Sequence, residues 1–316
     1  MGPSATMVDV SGPLMERSPL AVRPRHAEGA VRVLLTTFGV FVVLTTVTMI
    51  AFLGHAGVRG MRVAGISSLL TGLTWKPEID EYGGLSLIVG TFTSASGALM
   101  FGAVPAVLAA VWLTEFAPPS IKVIERRILE VASSIPSVVY GWLALVYLVP
   151  IMYWVAHALR GADAAVTGEG LASASVLLGV MIAPTVMLLS LDALARVPRA
   201  LRDASAALGA SPWQTAFRVS VPYAWRGLLV AIFFGFARAA GETMAVQMVI
   251  GGARRLPKDL LFSPTTTIST QIVMDMQEAR PGTPQNDVLF SMALILLVVS
   301  VVVVIGTRIL GKPRHS

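Results

Sequence analysis

The run 197–222, VPRALRDASAALGASPWQTAFRVSVP, is the most informative polar stretch of an otherwise apolar chain. Its first half predicts a short helix: Pro198 suits a first-turn position, the alanines favour helix, and Gly209 suits a left-handed residue that closes it. Ser211-Pro212 then reads as an N-cap followed by proline at the first helical position, opening a second helix with Trp213 and Phe217. Leu194, Val197, Leu201 and Leu208 fall on an apolar stripe, with Arg199, Arg202 and Asp203 as its polar rim. Long uncharged runs flank the segment on both sides. The prediction is therefore a loop of two short helices, residues 192–226, protruding between two membrane spans. The pattern leaves two readings open: a knob that docks on another protein, or an amphipathic connection lying on the membrane surface.

The flanks settle the class. Of the 316 residues, 55% are hydrophobic and 13% charged, with a mean hydropathy of +0.74, whereas soluble domains carry about 25% charged residues. That excludes a water-soluble enzyme with one buried core. It equally excludes a disordered or nucleic-acid-binding chain, despite a net charge of +6. A bilayer core about 30 Å thick takes roughly 20 apolar residues per helix. Six stretches qualify: Val33–Leu53, Leu85–Leu113, Val131–Ala156, Leu171–Leu191, Gly227–Ala253 (interrupted by Arg238 and Glu242) and Val288–Thr307. Pro150 is expected to stop the third. The sequence thus predicts an all-α, polytopic integral membrane protein with six transmembrane helices over residues 33–307. A flexible tail, 1–32, and a short tail, 308–316, flank it. Fifteen Lys and Arg fall on segments sharing a side with the N-terminus, eight on the other loops and one, Arg238, within a span, so both termini are expected in the cytoplasm. The uncharged run after Arg32 is too long for a signal-peptide core and suits a retained helix. Trp75 and Tyr82, just before the second span, suit the membrane interface.

The chain has no cysteine, and His26, His55, His157 and His315 show no ligand spacing, so no metal site is expected. It also lacks a Gly-x-x-x-x-Gly-Lys-Ser/Thr run, so it cannot cradle ATP phosphates by that route and is not expected to be an enzyme by itself. The candidate chemistry lies in the fifth span. A central charge there costs about 2.5–3.5 kcal/mol on insertion scales, and the i,i+4 spacing of Arg238 and Glu242 would let the two partly compensate each other. The expectation is a pair facing a water-filled path, where the Arg238 guanidinium holds an anion through two parallel hydrogen bonds. Glu242 would then retain Arg238 when the path is empty. The alternative is a structural ion pair that locks this helix to a neighbour. Pro136, with Gly141, is a possible helix hinge or simply a packing feature, and the same holds for Pro105 and Pro184.

Asp203-Ala204-Ser205, Gly209 and Val219-Ser220-Val221-Pro222 resemble the EAA loop of bacterial ABC-importer permeases, which reads Glu-Ala-Ala, three residues, Gly, nine residues, Ile-x-Leu-Pro. Asp stands for Glu, Ser for the second Ala, and Val for both Ile and Leu, with the spacing kept. In that family the loop is the coupling helix that docks on the ATPase subunit, which implies a coupling role for Asp203, Ala204, Ser205, Gly209 and Pro222. The run from Gly235 through Arg238, Gly241 and Glu242 to Val246 is similar to Gly-x-x-Arg-Ala-x-Gly-Glu-Thr-Met-Ala-Val of the PstC-type permeases of phosphate importers. Their PstA partners share only the Arg-Ala-x-Gly-Glu-Thr portion. Ile135–Gly141 and Tyr82–Thr91 agree with the same family, so the resemblance covers about Trp75 to Met276.

The resemblance implies a type I ABC-importer permease (MetI-like) fold in the bacterial cytoplasmic (inner) membrane. It implies a PstA-like permease partner, a PstB-like ATPase dimer that binds ATP and Mg, and a PstS-like phosphate-binding protein outside. The outer mouth would be formed by loops such as 157–170 and 252–287. Arg238 and Glu242 would take part in phosphate translocation, with no cofactor in this chain itself. Rival readings are a permease for molybdate or sulfate, and a secondary transporter or channel, against which the docking loop counts. A phosphate sensor is a further, secondary role.

Overall fold

A computed structural model describes residues 26–161, 166–257, 259 and 261–311. Most of the expected N-terminal tail, and residues 312–316 of the expected C-terminal one, lie outside the described residues. The chain divides into two compact units, 1–51 and 52–316. The first is helical from His26, and its described side chains from Val31 to Ala51 are all exposed. Its hydroxyls do not make it polar: Thr36, Thr37, Thr45 and Thr46 each donate to the carbonyl four residues earlier at 2.8–2.9 Å, which satisfies them within the helix.

That helix, α1 (His26–Ala64), carries on into the second unit, beyond the Leu53 at which the uncharged run stops. Its end packs on the last helix of the chain, where Ser291 donates to the Gly57 carbonyl at 2.7 Å and Arg59 pairs with Asp287 at 3.3 Å. A short α2 (Ile66–Thr71) and a two-residue hairpin follow, β1 (Trp75–Lys76) antiparallel to β2 (Glu81–Tyr82). The second span is α3 (Leu85–Ala98), a π-helical turn at Leu99–Ala103, and α4 (Val104–Glu115). An amphipathic α5 (Pro119–Ser134) precedes the third span, which is α6 (Ser137–Leu143), a π turn at Ala144–Leu148 and α7 (Val149–Arg160). Next come the fourth span, α8 (Leu171–Ala195), and the connecting α9 (Arg199–Ala207). The fifth comprises α10 (Pro212–Thr215), a π turn at Ala216–Ser220 and α11 (Val221–Ala240). Short α12 (Met244–Gln247) and α13 (Ile268–Met276) lead to α14 (Pro284–Gly311). Six helical runs among the described residues are long and apolar enough to cross a membrane.

Each π turn stands two residues before a proline: Pro105, Pro150 and Pro222. A proline has no N–H and its ring crowds the carbonyl four residues back. A widened turn relieves that clash and finds the backbone new partners, with Val104 donating to Leu99, Val149 to Ala144 and Val221 to Ala216. This corrects the expectation for Pro150, since the third span runs through it to Arg160. Pro136 differs again. It sits in the break between α5 and α6 as the N-cap residue of α6, so this span begins at Ser137 rather than Val131.

The core centres on α8, where Leu177, Leu178, Met181, Ile182 and Val186 are buried among α3, α4 and α11. Lipid gives helices no hydrophobic reason to associate, so close packing of small residues must hold them together. Gly102 and Gly179 show this: a Cβ on either would strike the backbone of the other. A second cluster contains Leu69, Trp75, Tyr82, Leu87, Ile268, Val288 and Met292. Trp75 and Tyr82 are only 2% and 4% exposed and stack edge to face at 5.8 Å. They are core residues rather than an interfacial belt, because the hairpin folds inward over the start of α3 instead of trailing along the membrane surface.

Candidate functional site

The fifth span does not remain helical through its charges. α11 stops at Ala240 and Gly241 caps it, with the Gly241 and Glu242 amides donating to Ala237 and Ala239 at 3.2 Å each. Glu242 then turns forward: its Oε1 accepts from the Ala245 amide at 3.3 Å, at the start of α12, and its own carbonyl accepts from Ser269 Oγ at 2.8 Å. The expected i,i+4 pair is therefore absent. Among the described residues no salt bridge joins Arg238 to Glu242, because the helical register that would align them ends between the two.

Arg238 instead looks toward α8. Close approach at Gly235, where a Cβ would come within 2.6 Å of Val186 Cγ2, brings the two helices together. Arg238 NH1 then donates to Thr185 Oγ1 at 3.2 Å. The guanidinium is exposed on the surface of this chain. Arg238 lies two residues before α11 ends, and a charge carried by an apolar span looks onto water or another protein rather than lipid. With one donor engaged, most of its five N–H groups make no hydrogen bond among the described residues.

The possible hinge residues lie at a helix break and at a close helix contact. A Cβ on Gly141 would lie 2.8 Å from Ala245 Cα and 2.9 Å from Met248 Sδ, so α6 rests on the segment that Glu242 caps. Across the Pro136 break, the Tyr140 hydroxyl donates to the Ala132 carbonyl at 2.9 Å and ties α6 to α5.

The 192–226 loop folds as predicted at its second helix start and at its turn, while Pro198 is the N-cap of α9 rather than a first-turn residue. Gly209 adopts φ 78°, the left-handed conformation that favours glycine. Ser211 and Gln214 form a reciprocal capping box, and the hydroxyls of Ser205 and Thr215 meet at 2.9 Å to close the hairpin. Asp203, Ala204 and Pro222 are exposed. The second helix is not short, however; it continues through the π turn into α11. Arg202 is not a rim residue either. It lies 3.0 Å from Glu115 and donates to the Leu194 carbonyl at 3.1 Å, pinning α9 to the ends of α4 and α8. Of the expected stripe, Leu194 and Val197 are buried in the bundle, while Leu208 is 89% exposed. Leu208, Trp213, Phe217 and Phe116 leave an apolar patch, with Trp213 and Phe217 4.3 Å apart. Nearby on α5, burial pushes the Glu125 carboxyl up from its ordinary value, with Lys122 pulling it part of the way back.

At the opposite end of the bundle lies a group that sequence reasoning missed. Asp275 is 1% exposed. Its carboxylate accepts from Trp75 Nε1 at 2.7 Å, Arg254 NH2 at 2.7 Å and Gln271 Nε2 at 2.8 Å. Its signal was available: it is the first charge after the uncharged run 260–274. Loops 157–170 and 252–287 meet at this end through the Arg160–Asp259 ion pair and through Ala172 N donating to the Leu261 carbonyl at 2.7 Å. The buried Tyr82 hydroxyl is pushed up to about 12, by burial first and then by its hydrogen bond to Asp80. Among the described residues no cluster of His, Asp and Glu could hold a metal.

Residues 102–313 match the family described as binding-protein-dependent transport system inner membrane component. The chain is 36% identical over 287 residues to the probable ABC transporter permease protein YqgH of Bacillus subtilis (strain 168), covering 90% of each. It is 31% identical to the phosphate transport system permease protein PstC of Pasteurella multocida (86% of this chain, 88% of that one). The PstC of Haemophilus influenzae is 33% identical, over 77% and 80%. Among solved structures, the inward-facing MetNI methionine ABC transporter is similar at 23% identity and a TM-score of 0.49, over 72% of this chain and 94% of that one.

Proposed function

The chain belongs to the binding-protein-dependent transport system inner membrane component family, and from that premise we propose that it carries phosphate as one of two permease subunits of an ATP-driven importer. Membership makes it a multi-pass membrane component of an ABC transporter that works with a separate ATPase and a substrate-binding protein. The finer reading rests on one observation above all. Arg238, two residues before α11 ends, is held by a neutral hydroxyl on α8 and left exposed, with no carboxylate partner among the described residues. A guanidinium so held offers a planar fork to a tetrahedral oxyanion. Similarity to permeases named for phosphate transport supports the choice of anion.

In this reading a PstS-like protein delivers phosphate to the end of the bundle that holds Asp275. The exposed face of α8 and α11 meets a PstA-like subunit, and the path runs between the two. A PstB-like ATPase dimer, which binds ATP and Mg, docks on the Leu208 and Trp213 patch. That end and both termini are therefore cytoplasmic. Because Arg202 ties α9 to α4 and α8, a push on α9 reaches the helix that carries Thr185. Glu242 acts not as a counter-ion but as the cap that fixes the break after Gly241.

Labelled-phosphate uptake by the whole complex, comparing wild type with Arg238→Ala and Arg238→Lys, tests the reading. Sulfate and molybdate serve as competitors, and co-purification of the subunits reports assembly. Loss of uptake with assembly intact is expected. Retained uptake in Arg238→Ala removes the role of Arg238, and strong competition by molybdate or sulfate moves the substrate to that anion.

A further inference from the structure

Thr185 stands apart from other hydroxyls of the spans. Thr91, Thr93, Thr114, Ser190 and Ser300 each donate to the carbonyl four residues earlier, at 2.6–2.9 Å. Back-bonding of this kind spends the hydroxyl hydrogen within the helix, where apolar surroundings offer no other acceptor. Ser190 does so on α8 itself. Thr185, on the same helix, makes no such bond among the described residues. Its one hydrogen bond there is with Arg238, at 3.2 Å. A guanidinium has five donors and no acceptor, so in that bond the Thr185 oxygen accepts. Its own hydrogen is left without an acceptor, in a side chain that is half-buried rather than sealed.

We propose that Thr185 is a second contact for the transported anion, donating its hydroxyl hydrogen to the same oxyanion that Arg238 binds. The proposal rests on the transport reading and deepens it: Arg238 supplies the charge, and Thr185 both holds the guanidinium and adds a neutral donor beside it. Two donor groups whose heavy atoms lie 3.2 Å apart can be bridged by the oxygens of one tetrahedral anion. An uncharged donor also suits a path. It fixes the anion's position at a smaller gain in binding than a second charge would bring, and cargo in transit must be held weakly enough to leave. The two donors come from different helices, α8 and α11, which meet closely where Gly235 packs on Val186, so the anion site exists only where those helices are in register.

The test is the concentration dependence of labelled-phosphate uptake by the whole complex, with melting temperature and co-purification measured alongside. Thr185→Val keeps the branched shape and removes the hydroxyl, whereas Thr185→Ser keeps the hydroxyl. We expect Thr185→Val to raise KM about tenfold and Thr185→Ser to stay within about threefold of wild type, both assembling and melting as wild type does. Thr185→Ala repeats the loss should valine disturb assembly. An unchanged KM without the hydroxyl overturns the proposal. So does a rise that serine fails to reverse, since packing rather than the hydroxyl would then be at work. Arg238→Lys tells a donor from a support. An ammonium has no planar fork to hold in place, so adding Thr185→Val to that variant should raise KM again. No further rise there reduces Thr185 to a positioning residue and overturns the donor role. Arg238→Ala separates the two ideas: uptake retained there defeats the transport reading and this one with it. Uptake lost in Arg238→Ala but normal in Thr185→Val defeats this one alone.

Discussion

Asp275 and Arg238 are both charges set into an apolar bundle, and their surroundings differ in kind. Asp275 is almost inaccessible, with both carboxylate oxygens bonded and a guanidinium beside it. Arg238 is exposed and, among the described residues, makes one hydrogen bond, to a neutral hydroxyl at 3.2 Å. A buried charge that is paired and fully hydrogen-bonded has no capacity left for a ligand and acts as a clasp. Here it holds the hairpin, loop 252–287 and α13 together. An exposed charge near the end of a span, with most donors unengaged, is accommodated by water, an anion or a partner subunit. Burial and saturation, rather than charge itself, separate a structural ion from a working one.

The comparison can be broken at either end. Asp275→Ala should have the largest effect, because it strands the buried Trp75 and Gln271 donors and leaves Arg254 only the exposed Glu78, 3.5 Å away. Removing one partner of such a network costs about 3–5 kcal/mol. Thermal unfolding of the purified complex should show it, and a variant that stays stable yet no longer transports would make the clasp a functional site. Arg238→Ala should do the reverse. Uptake falls roughly ten- to a hundredfold, the worth of one charge-assisted contact, while the melting temperature barely moves. A melting loss equal to that of Asp275→Ala would turn Arg238 into a lock.

Smaller effects sharpen the picture. Arg202→Ala frees α9 from Glu115 and the Leu194 carbonyl, at a cost of about 1–3 kcal/mol. It should lower transport-coupled ATP hydrolysis by the complex more than it lowers stability, whereas unchanged coupling would separate α9 from the path. The smallest effect is a titration. Below pH 10 the Tyr82 hydroxyl is neutral in both folded and unfolded chains. Between pH 10 and about 12 the unfolded chain ionises while the folded one keeps its proton, so stability falls as pH rises through that window. Tyrosinate absorbance should show one late-titrating group, absent in Tyr82→Phe. A variant that instead loses its amplitude near pH 10, with no late group missing, would place Tyr82 outside the buried cluster.

Much of this was legible in residues. The uncharged runs locate the spans, and Gly209 and Ser211-Pro212 set the turn between α9 and α10 because capping and left-handed backbone are local requirements. What was not legible lies where local rules meet a neighbour. Pro150 reads as a stop, but a π turn absorbs it. Trp75 and Tyr82 read as interfacial, but the hairpin folds them over α3. Arg202 reads as a solvated rim, yet it finds Glu115 on another helix. Arg238 and Glu242 read as a pair, because sequence spacing cannot reveal that the helix ends at Ala240.

The sequence by itself determined the class, the number of spans, the turn within the 192–226 loop and the identity of the charges, since hydropathy, helix length and capping depend on residues near in the chain. Only the tertiary structure decided what each charge meets. It brought Thr185 to Arg238, Arg254 and Trp75 to Asp275, and Glu115 to Arg202. Those partners come together through the close packing of helices distant in sequence, and it is that packing which leaves one charge open and closes another.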